Sequence, residues 1–442
     1  MKWRILLLLA GAALGCAPKN PPPTTVVLIS IDTLRPDHLG CYGYKRPTSP
    51  TIDAFASESA LFLDASSPSP WTLPAHASLL TGLYPSRHGL KSHEAYLPAA
   101  IETLASRLVK RGYATAAVVN SQNLSSRFGL DRGFQQFRYV EEVAAQREPS
   151  RGVTDQAAEW LRQHAGRRLF LFVHYYDVHS DYASRPEYEA PLVAPYRGRA
   201  DGTTGQLMSF REGRVSLASS DAPHLVDLYD AGIRQMDDEL ARLLASIDAH
   251  TPRRQSLVIL TSDHGEEFFE HGGVLHGRTQ FQEVMRVPLL VRGPGISAGH
   301  RITTPVSLLD VLPSVLRRLG ESAPAGLDGN DISALFASDS NALEGRTLFG
   351  EADHGNTELD MTRAVRRGRF KLHYDRVTKA SALFDLSKDP SELSDVSARE
   401  GETLRDLQAR LERFLEIQPA AATPLKLSPE EMEKLRSLGY IR

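Results

Sequence analysis

The sequence predicts an α/β fold: a doubly wound, largely parallel sheet with helices on both faces, followed by a small α+β C-terminal subdomain. Three observations predict it. Val26-Val-Leu-Ile-Ser-Ile31 is a continuous apolar, β-branched run, the pattern of a strand buried on both faces. Similar runs recur at Ala114–Val119, Leu169–His174, Leu257–Ser262 and Val287–Arg292. Helical patterns lie between them at Ile101–Arg111, Thr154–His164, Leu225–Ala249 and Leu308–Leu319. Such alternation marks strand–helix–strand crossovers in a parallel sheet. From about Leu343 the texture changes to short strand-like pieces, Thr347–Gly350, Thr362–Val365, Phe370–Tyr374 and Leu383–Leu386, and then a helix over Glu392–Ile417.

In chain order, residues 1–16 read as a lipoprotein-type signal peptide, 17–25 as a tether, 26–340 as the catalytic domain and 341–442 as the C-terminal subdomain. Met1-Lys-Trp-Arg4 is a short basic region, and the apolar stretch Ile5–Gly15 is too short to span a bilayer as a mature helix. It ends in Ala13-Leu-Gly-Cys16, which resembles the bacterial lipobox, although Ala13 stands where leucine is usual. The expected mature chain starts at an acylated Cys16, exported and anchored to a bacterial membrane, periplasmic or at the cell surface. The plainer alternative is an exported chain in which Cys16 is removed or unmodified. Ala17–Thr25, with four prolines, suits an extended tether. With Cys16 lipidated, Cys41 has no disulfide partner and reads as a small buried thiol.

A formal net charge of −3 and the lack of a basic stripe argue against a nucleic-acid partner. No internal repeat is present, and nothing in the sequence fixes an oligomeric state. The stretch Arg185–Ser220, rich in Gly, Pro, Ser and Arg, is a long insertion of the kind that helps form a substrate pocket.

Ligands of open α/β sheets gather beyond the carboxyl ends of the strands, so Asp32, Asp177 and Asp263, each just after a strand run, are expected to converge on one crevice. Asp263 and His264 offer an oxygen and a nitrogen to a metal, with Gly265 leaving room for a close backbone turn. Asp32 supplies a third ligand, and Thr72 a fourth that is also the candidate nucleophile. Singly, these residues are equally a turn cap, a helix cap and a solvated loop pair; together they point to a metal centre. Pro74 and Ala75–Leu80 predict a helix for which Thr72 is the N-cap. Its free N–H groups suit an anion, and a bound metal is needed to activate so weak a nucleophile. His179 and His276 are candidates to hold the substrate's oxygens, to protonate the leaving group, or, with Asp177, to hold a second metal. Arg278 is a candidate anion clamp or a solvated side chain; His174 and His271 rank lower.

These segments resemble the sulfatase family of the alkaline phosphatase superfamily. Ser69–Gly82 has the spacing of its Cys/Ser-x-Pro-x-Arg signature with the Leu-Thr-Gly tail, with Thr72 in the nucleophile slot and His76 in the arginine slot. Ser30–Gly43, Leu79–Gly89 and Leu383–Glu392 match further family segments in the right order. The departures are Thr33 after Asp32 where many members have a second aspartate, His264 after Asp263 where asparagine is usual, and Asn120 and Gln122 at the lysine and histidine positions. The resemblance implies an alkaline phosphatase/sulfatase-like fold and substrate-binding roles for His76 and Asn120. An imidazole in the ligand set favours zinc or manganese over calcium, and with Thr72 in the slot no formylglycine is expected.

The implied function is metal-dependent hydrolysis of a sulfate or phosphate ester, on a small-molecule, glycan or lipid substrate. Asp263-His-Gly-Glu266 with Leu275-His-Gly277 and a threonine nucleophile is also similar to the phosphoethanolamine transferases of the same superfamily. The alternatives are therefore a phosphodiesterase or a transferase onto an envelope acceptor and, from another class, a non-catalytic lipid-anchored binding protein.

Overall fold

The computed structural model describes residues 22–141, 149–338, 343–353 and 361–417, together with 423–425, 428, 429 and 432. The signal peptide, Cys16, tether residues 17–21 and the 340/341 boundary lie outside the described residues. Strands β1 (Thr25–Ile31), β2 (Ala60–Ser66), β3 (Ala114–Val119), β4 (Gln136–Tyr139), β5 (Leu169–Tyr175), β6 (Ser256–Thr261) and β7 (Arg286–Arg292) form the large sheet. Their order is β2-β7-β6-β1-β5-β3-β4, with Arg301–Ile302 and Val306–Ser307 added beyond β2. β6, β1, β5, β3 and β4 are mutually parallel, whereas β7 runs antiparallel to both β6 and β2.

The sheet has an apolar core on each face, which is why its strands lack polar alternation. Val26 and Leu28 enter one core, while Val27, Ile29 and Ile31 enter the other. The first core takes helices α1 (Thr72–Thr81) and, later in the chain, Val311–Arg318. The second takes α2 (Pro149–Gln163) and, after the short α3 (Thr204–Arg211), the long α4 (Ala222–His250). The sheet is thus doubly wound. The helix expected over Ile101–Arg111 is shorter, Leu104–Val109, because the Thr103 side chain caps it by accepting from the Ser106 N–H. Among the described residues no helix is long and apolar enough to cross a membrane.

The C-terminal part is a four-stranded antiparallel sheet, β8 (Thr347–Asp353), β9 (Met361–Arg367), β10 (Phe370–Asp375) and β11 (Ser381–Asp385), covered by the helix Gly401–Leu415. That helix starts nine residues after the expected Glu392, whose backbone sits at φ 54 in a turn. Leu407, Leu411 and Phe414 pack on Val365, Leu372 and Leu383. The small sheet also braces the approach to α1: the Glu351 N–H donates to the Pro68 carbonyl at 2.9 Å, and Arg366 pairs with Asp64. Cys41 is half-buried rather than fully buried, and burial pushes its thiol up to about 12.

Candidate active site

Four groups meet beyond the carboxyl ends of β1 and β6. Asp32 follows β1, Asp263 and His264 follow β6, and Thr72 opens α1; all four are fully buried. His264 Nε2 lies 3.2 Å from Asp263 Oδ2, 3.7 Å from Asp32 Oδ1 and 3.4 Å from Thr72 Oγ1. The ligand atoms of the two aspartates and the histidine all lie within 4.8 Å of one another.

Local folding explains the convergence. Thr33 takes φ 56, a costly conformation for a β-branched residue, roughly 1–3 kcal/mol. Its carbonyl accepts from the Tyr229 hydroxyl at 2.7 Å, and its N–H donates to Asp263 Oδ1 at 3.3 Å. The residue in place of a second aspartate thus ties the two strand ends together. At Gly265 a Cβ would sit 2.0 Å from the Glu283 carbonyl oxygen, so only glycine permits the turn that carries His264. Thr72 is the first residue of α1 rather than its cap. Trp71 holds the cap position in extended backbone and makes no side-chain cap hydrogen bond, leaving the Thr72 hydroxyl free to face His264.

The donor set suits a divalent cation. Asp32 Oδ1, Asp32 Oδ2 and Asp263 Oδ2 are buried without a well-aligned hydrogen bond, their neighbours being the ring nitrogens of His264 and His174. Two carboxylates so placed need a positive charge to stay ionised. His264 Nδ1 donates to the Gly265 carbonyl at 2.9 Å, which fixes the tautomer and turns Nε2 towards the aspartates. With the protein groups alone, burial and the Asp263 charge push Asp32 up to about 7. Burial opposes protonation of His264, but Asp263 and Asp32 raise it to about 9. Burial also works against ionisation of Asp263, yet the charge of His264 holds it well below the carboxylate range.

The surrounding residues divide. His76, one turn along α1, donates from Nδ1 to the Thr72 carbonyl at 2.9 Å and has Nε2 2.9 Å from Ser30 Oγ; Nδ1 is also 3.5 Å from Asp263. Burial lowers it to about 4, so it is a neutral buttress of the centre rather than a cationic arginine substitute. Asn120 is buried, with Oδ1 3.3 Å from His174 Nδ1. His276 packs with ring centroids 4.3 Å from His264 and 5.0 Å from His179, so both reach the centre. Asp177 does not share a second site with them: its carboxylate takes the Ser150 hydroxyl and N–H, on α2. The expected Asp177, His179 and His276 metal site is thereby corrected. Arg278 is half-buried and lines a cavity of about 380 Å³ beside His276. His271 instead pairs with Glu283 at 2.7 Å.

The structure adds two participants that the sequence ranks low or leaves unassigned. His174, next to last in β5, is in register with Ser30, and its Nε2 is 3.2 Å from Asp32 Oδ2. Its position at a central strand's carboxyl end was the available signal. Glu266, fully buried, accepts from His276 Nδ1 at 2.8 Å. It stands within the Asp-His-Gly-Glu segment, so the motif contained it, but only the fold pairs it with His276.

Comparison with known proteins bears on the family and the fold. The family model described as Sulfatase matches residues 24–321, and one described as the C-terminal part of N-sulphoglucosamine sulphohydrolase matches 270–419. The chain is 25% identical to the steryl-sulfatase of Mus musculus, covering 78% of this chain and 69% of that one. It is also 25% identical to an ulvan-active sulfatase of Formosa agariphila, covering 93% and 86%. Among solved structures, BT4656 in complex with its substrate D-glucosamine-2-N,6-O-disulfate superposes with TM-score 0.75 at 17% identity, over 89% of this chain and 98% of that one. A phosphonate monoester hydrolase from Silicibacter pomeroyi does so with TM-score 0.70 at 20% identity, over 88% and 94%. At those identities the two structures speak for the fold.

Proposed function

This chain belongs to the sulfatase family, and we propose that it is a metal-dependent hydrolase of sulfate or phosphate esters in which Thr72 is the attacking group. The observation that carries this reading is the buried convergence of Thr72 Oγ1, His264 Nε2 and the paired carboxylate oxygens of Asp32 and Asp263. Asp32, Asp263 and His264 would hold the cation, with Thr72 alongside; the imidazole favours zinc or manganese over calcium. When bound, the cation supplies the positive charge that favours the Thr72 alkoxide and offsets the anionic substrate.

The residues do the rest. Thr72 Oγ loses its proton and forms a bond to sulfur or phosphorus, while the ester bond to the departing alcohol breaks and that alcohol takes up a proton. His179 and His276 stand where they can bind the substrate's oxygens or return that proton, and Glu266 orients His276 through Nδ1. Water then attacks the same central atom and frees Thr72. A threonine ester has no route to expel its anion by collapse to an aldehyde, so water must complete the second displacement. Phosphoryl centres undergo that step more readily, which favours phosphorus as the second reading.

A side-by-side screen of aryl sulfate, aryl phosphate, phosphodiester and phosphonate esters identifies the reacting centre. With the best substrate, Thr72→Ala is expected to lose at least about a thousandfold in kcat while retaining bound metal and its melting temperature. An unchanged rate removes Thr72 from the role.

A further inference from the structure

The chain enters the fold at the amino end of the large sheet, opposite the reaction centre. Thr25 of β1 is in register with Leu169 of β5 and Ser256 of β6, and Leu169 with Ala114 of β3, so four strands start in one row. Just before that row the Thr24 N–H donates to the Gln255 carbonyl at 2.9 Å, the Leu169 N–H donates to the Thr24 carbonyl at 2.8 Å, and the Tyr113 hydroxyl donates to the Pro23 carbonyl at 2.9 Å. The entering chain is thus fastened among the loops that lead into β3, β5 and β6. Those loops, residues 110–113, 164–168 and 251–255, carry Lys110, Arg111, Arg167, Arg168, Arg253 and Arg254 and no acidic residue, in a chain whose totals are 51 basic and 54 acidic. All but the half-buried Arg111 are exposed. Four carboxylates reach them from neighbouring elements. Glu102 pairs with Lys110 and Arg107, Glu321 with Arg111 and more distantly Arg168, and Glu58 and Asp248 with Arg253 and Arg292. With these partners counted, eight basic groups stand against four carboxylates. Nearby, Arg132 and Asp131 cancel, as do Arg162 and Glu159.

Covalent geometry supplies an independent constraint. Cys16 lies seven residues before Pro23, a span of at most about 25 Å whatever path the chain takes. β1 is seven residues long, which puts Asp32 about 23 Å away at the other end of the sheet. We propose that this basic end of the molecule lies on the anionic headgroups of the bilayer in which an acylated Cys16 is held, with the reaction centre opening away from that bilayer. The proposal goes beyond the reading of the reaction centre and rests on the expected acylation. An acyl chain on so short a tether limits distance but not orientation; clustered basic side chains near an anionic surface select one orientation and add the second signal that stable anchoring needs. Ester groups on headgroups of the same bilayer are then out of reach, and substrates arrive from the aqueous side.

The test places the mature acylated chain on phosphatidylcholine vesicles with or without phosphatidylglycerol. In a Cys41→Ser background, a fluorophore is attached at Ala165→Cys, before β5, or at Ala183→Cys, beyond its other end; both positions are exposed. A lipid with a nitroxide on its headgroup quenches whatever lies at the surface. With phosphatidylglycerol present, quenching at the first position is expected to exceed that at the second by at least about threefold. Arg167→Glu with Arg254→Glu brings the basic excess to none and should abolish the difference, as should high salt. The corresponding glutamine pair, which leaves half the excess, should reduce it by about half and serves if the reversal does not fold. Melting temperature and hydrolysis of soluble esters should be unchanged in both pairs, which separates docking from a merely local role at the ends of helices. Equal quenching at the two positions, a difference that survives both pairs, or one that does not need phosphatidylglycerol overturns the docking. Release of the mature chain from vesicles by washing overturns the anchor and the docking together. Neither result touches the reaction centre, whose turnover of soluble esters is measured separately.

Discussion

A histidine gives a lone pair to a cation only when its ring is neutral, and His264 sits among carboxylates that hold it protonated up to about 9. At pH 7 the cation must therefore displace a proton from Nε2. Metal affinity is expected to rise about tenfold per pH unit between about pH 7 and 9, and more steeply below pH 7 where Asp32 must also lose its proton, with proton release on binding. Zinc calorimetry in two buffers of different ionisation enthalpy measures both quantities. An affinity independent of pH, with no proton released, would exclude His264 as a ligand. At this scale the sequence was most readable where a residue's chemistry is distinctive and its position is a strand end, as for Asp32, Asp263 and His264. Asp177 shares that position and was misread, because the group that takes its carboxylate, Ser150, lies on a helix that no local pattern links to it. His174 was undervalued for the complementary reason: its partner, Asp32, comes from a strand far earlier in the chain.

Among the elements, the five continuously buried strands were found nearly to the residue, since an unbroken apolar run has few other solutions, whereas the partly exposed β2 and β4 were not found. Direction was not readable for β7, because a strand buried on both faces presents the same pattern whichever way it runs. The closing segment Leu383–Glu392 was legible as a motif but not as a device. In the structure Glu392 is the buried clamp between the small sheet and the catalytic domain: it meets Lys371 at 3.0 Å and His373 at 2.9 Å on β10, and accepts from the Gln282 N–H at 2.7 Å. Burial works against its charge, but Lys371 and His373 lower it from 4.5 to about 2. A depressed carboxylate stabilises the fold above its unfolded value, and that contribution is lost as pH falls from about 4.5 towards 2. Glu392→Gln leaves Lys371 without its counter-charge and is expected to cost about 3 kcal/mol or more at pH 7. Urea unfolding at pH 7 and pH 3 measures it, the gap from wild type shrinking at the lower pH. Equal stability at pH 7 would reduce Glu392 to a bystander.

For the whole molecule, the centre is a place where function and stability oppose one another. Asp32 and Asp263 are pressed together in a fully buried space between the ends of two central strands, an arrangement that serves a cation and burdens the fold without one. Asp32 is raised from 3.8 to about 7 by burial and by Asp263. A group raised in the fold gives its full stability below the unfolded value and loses it as pH climbs through the folded one. The metal-free chain should therefore lose on the order of a few kcal/mol between about pH 4 and 7 through Asp32. Asp32→Asn is neutral and nearly isosteric, so it escapes that loss but forfeits the site. In chelator at pH 8 the variant is expected to melt above the wild type. In excess zinc or manganese the order reverses, since a ligand at a thousand times its Kd stabilises only the competent chain, by about 4 kcal/mol. Reading melting temperatures as the difference between the two proteins cancels the titrating groups remote from Asp32 and leaves Asp32 with its partners Asp263 and His264. Should the asparagine variant melt lower in chelator, or the wild type ignore the metal, the paired aspartates are not a cation site and the case for Thr72 falls with them.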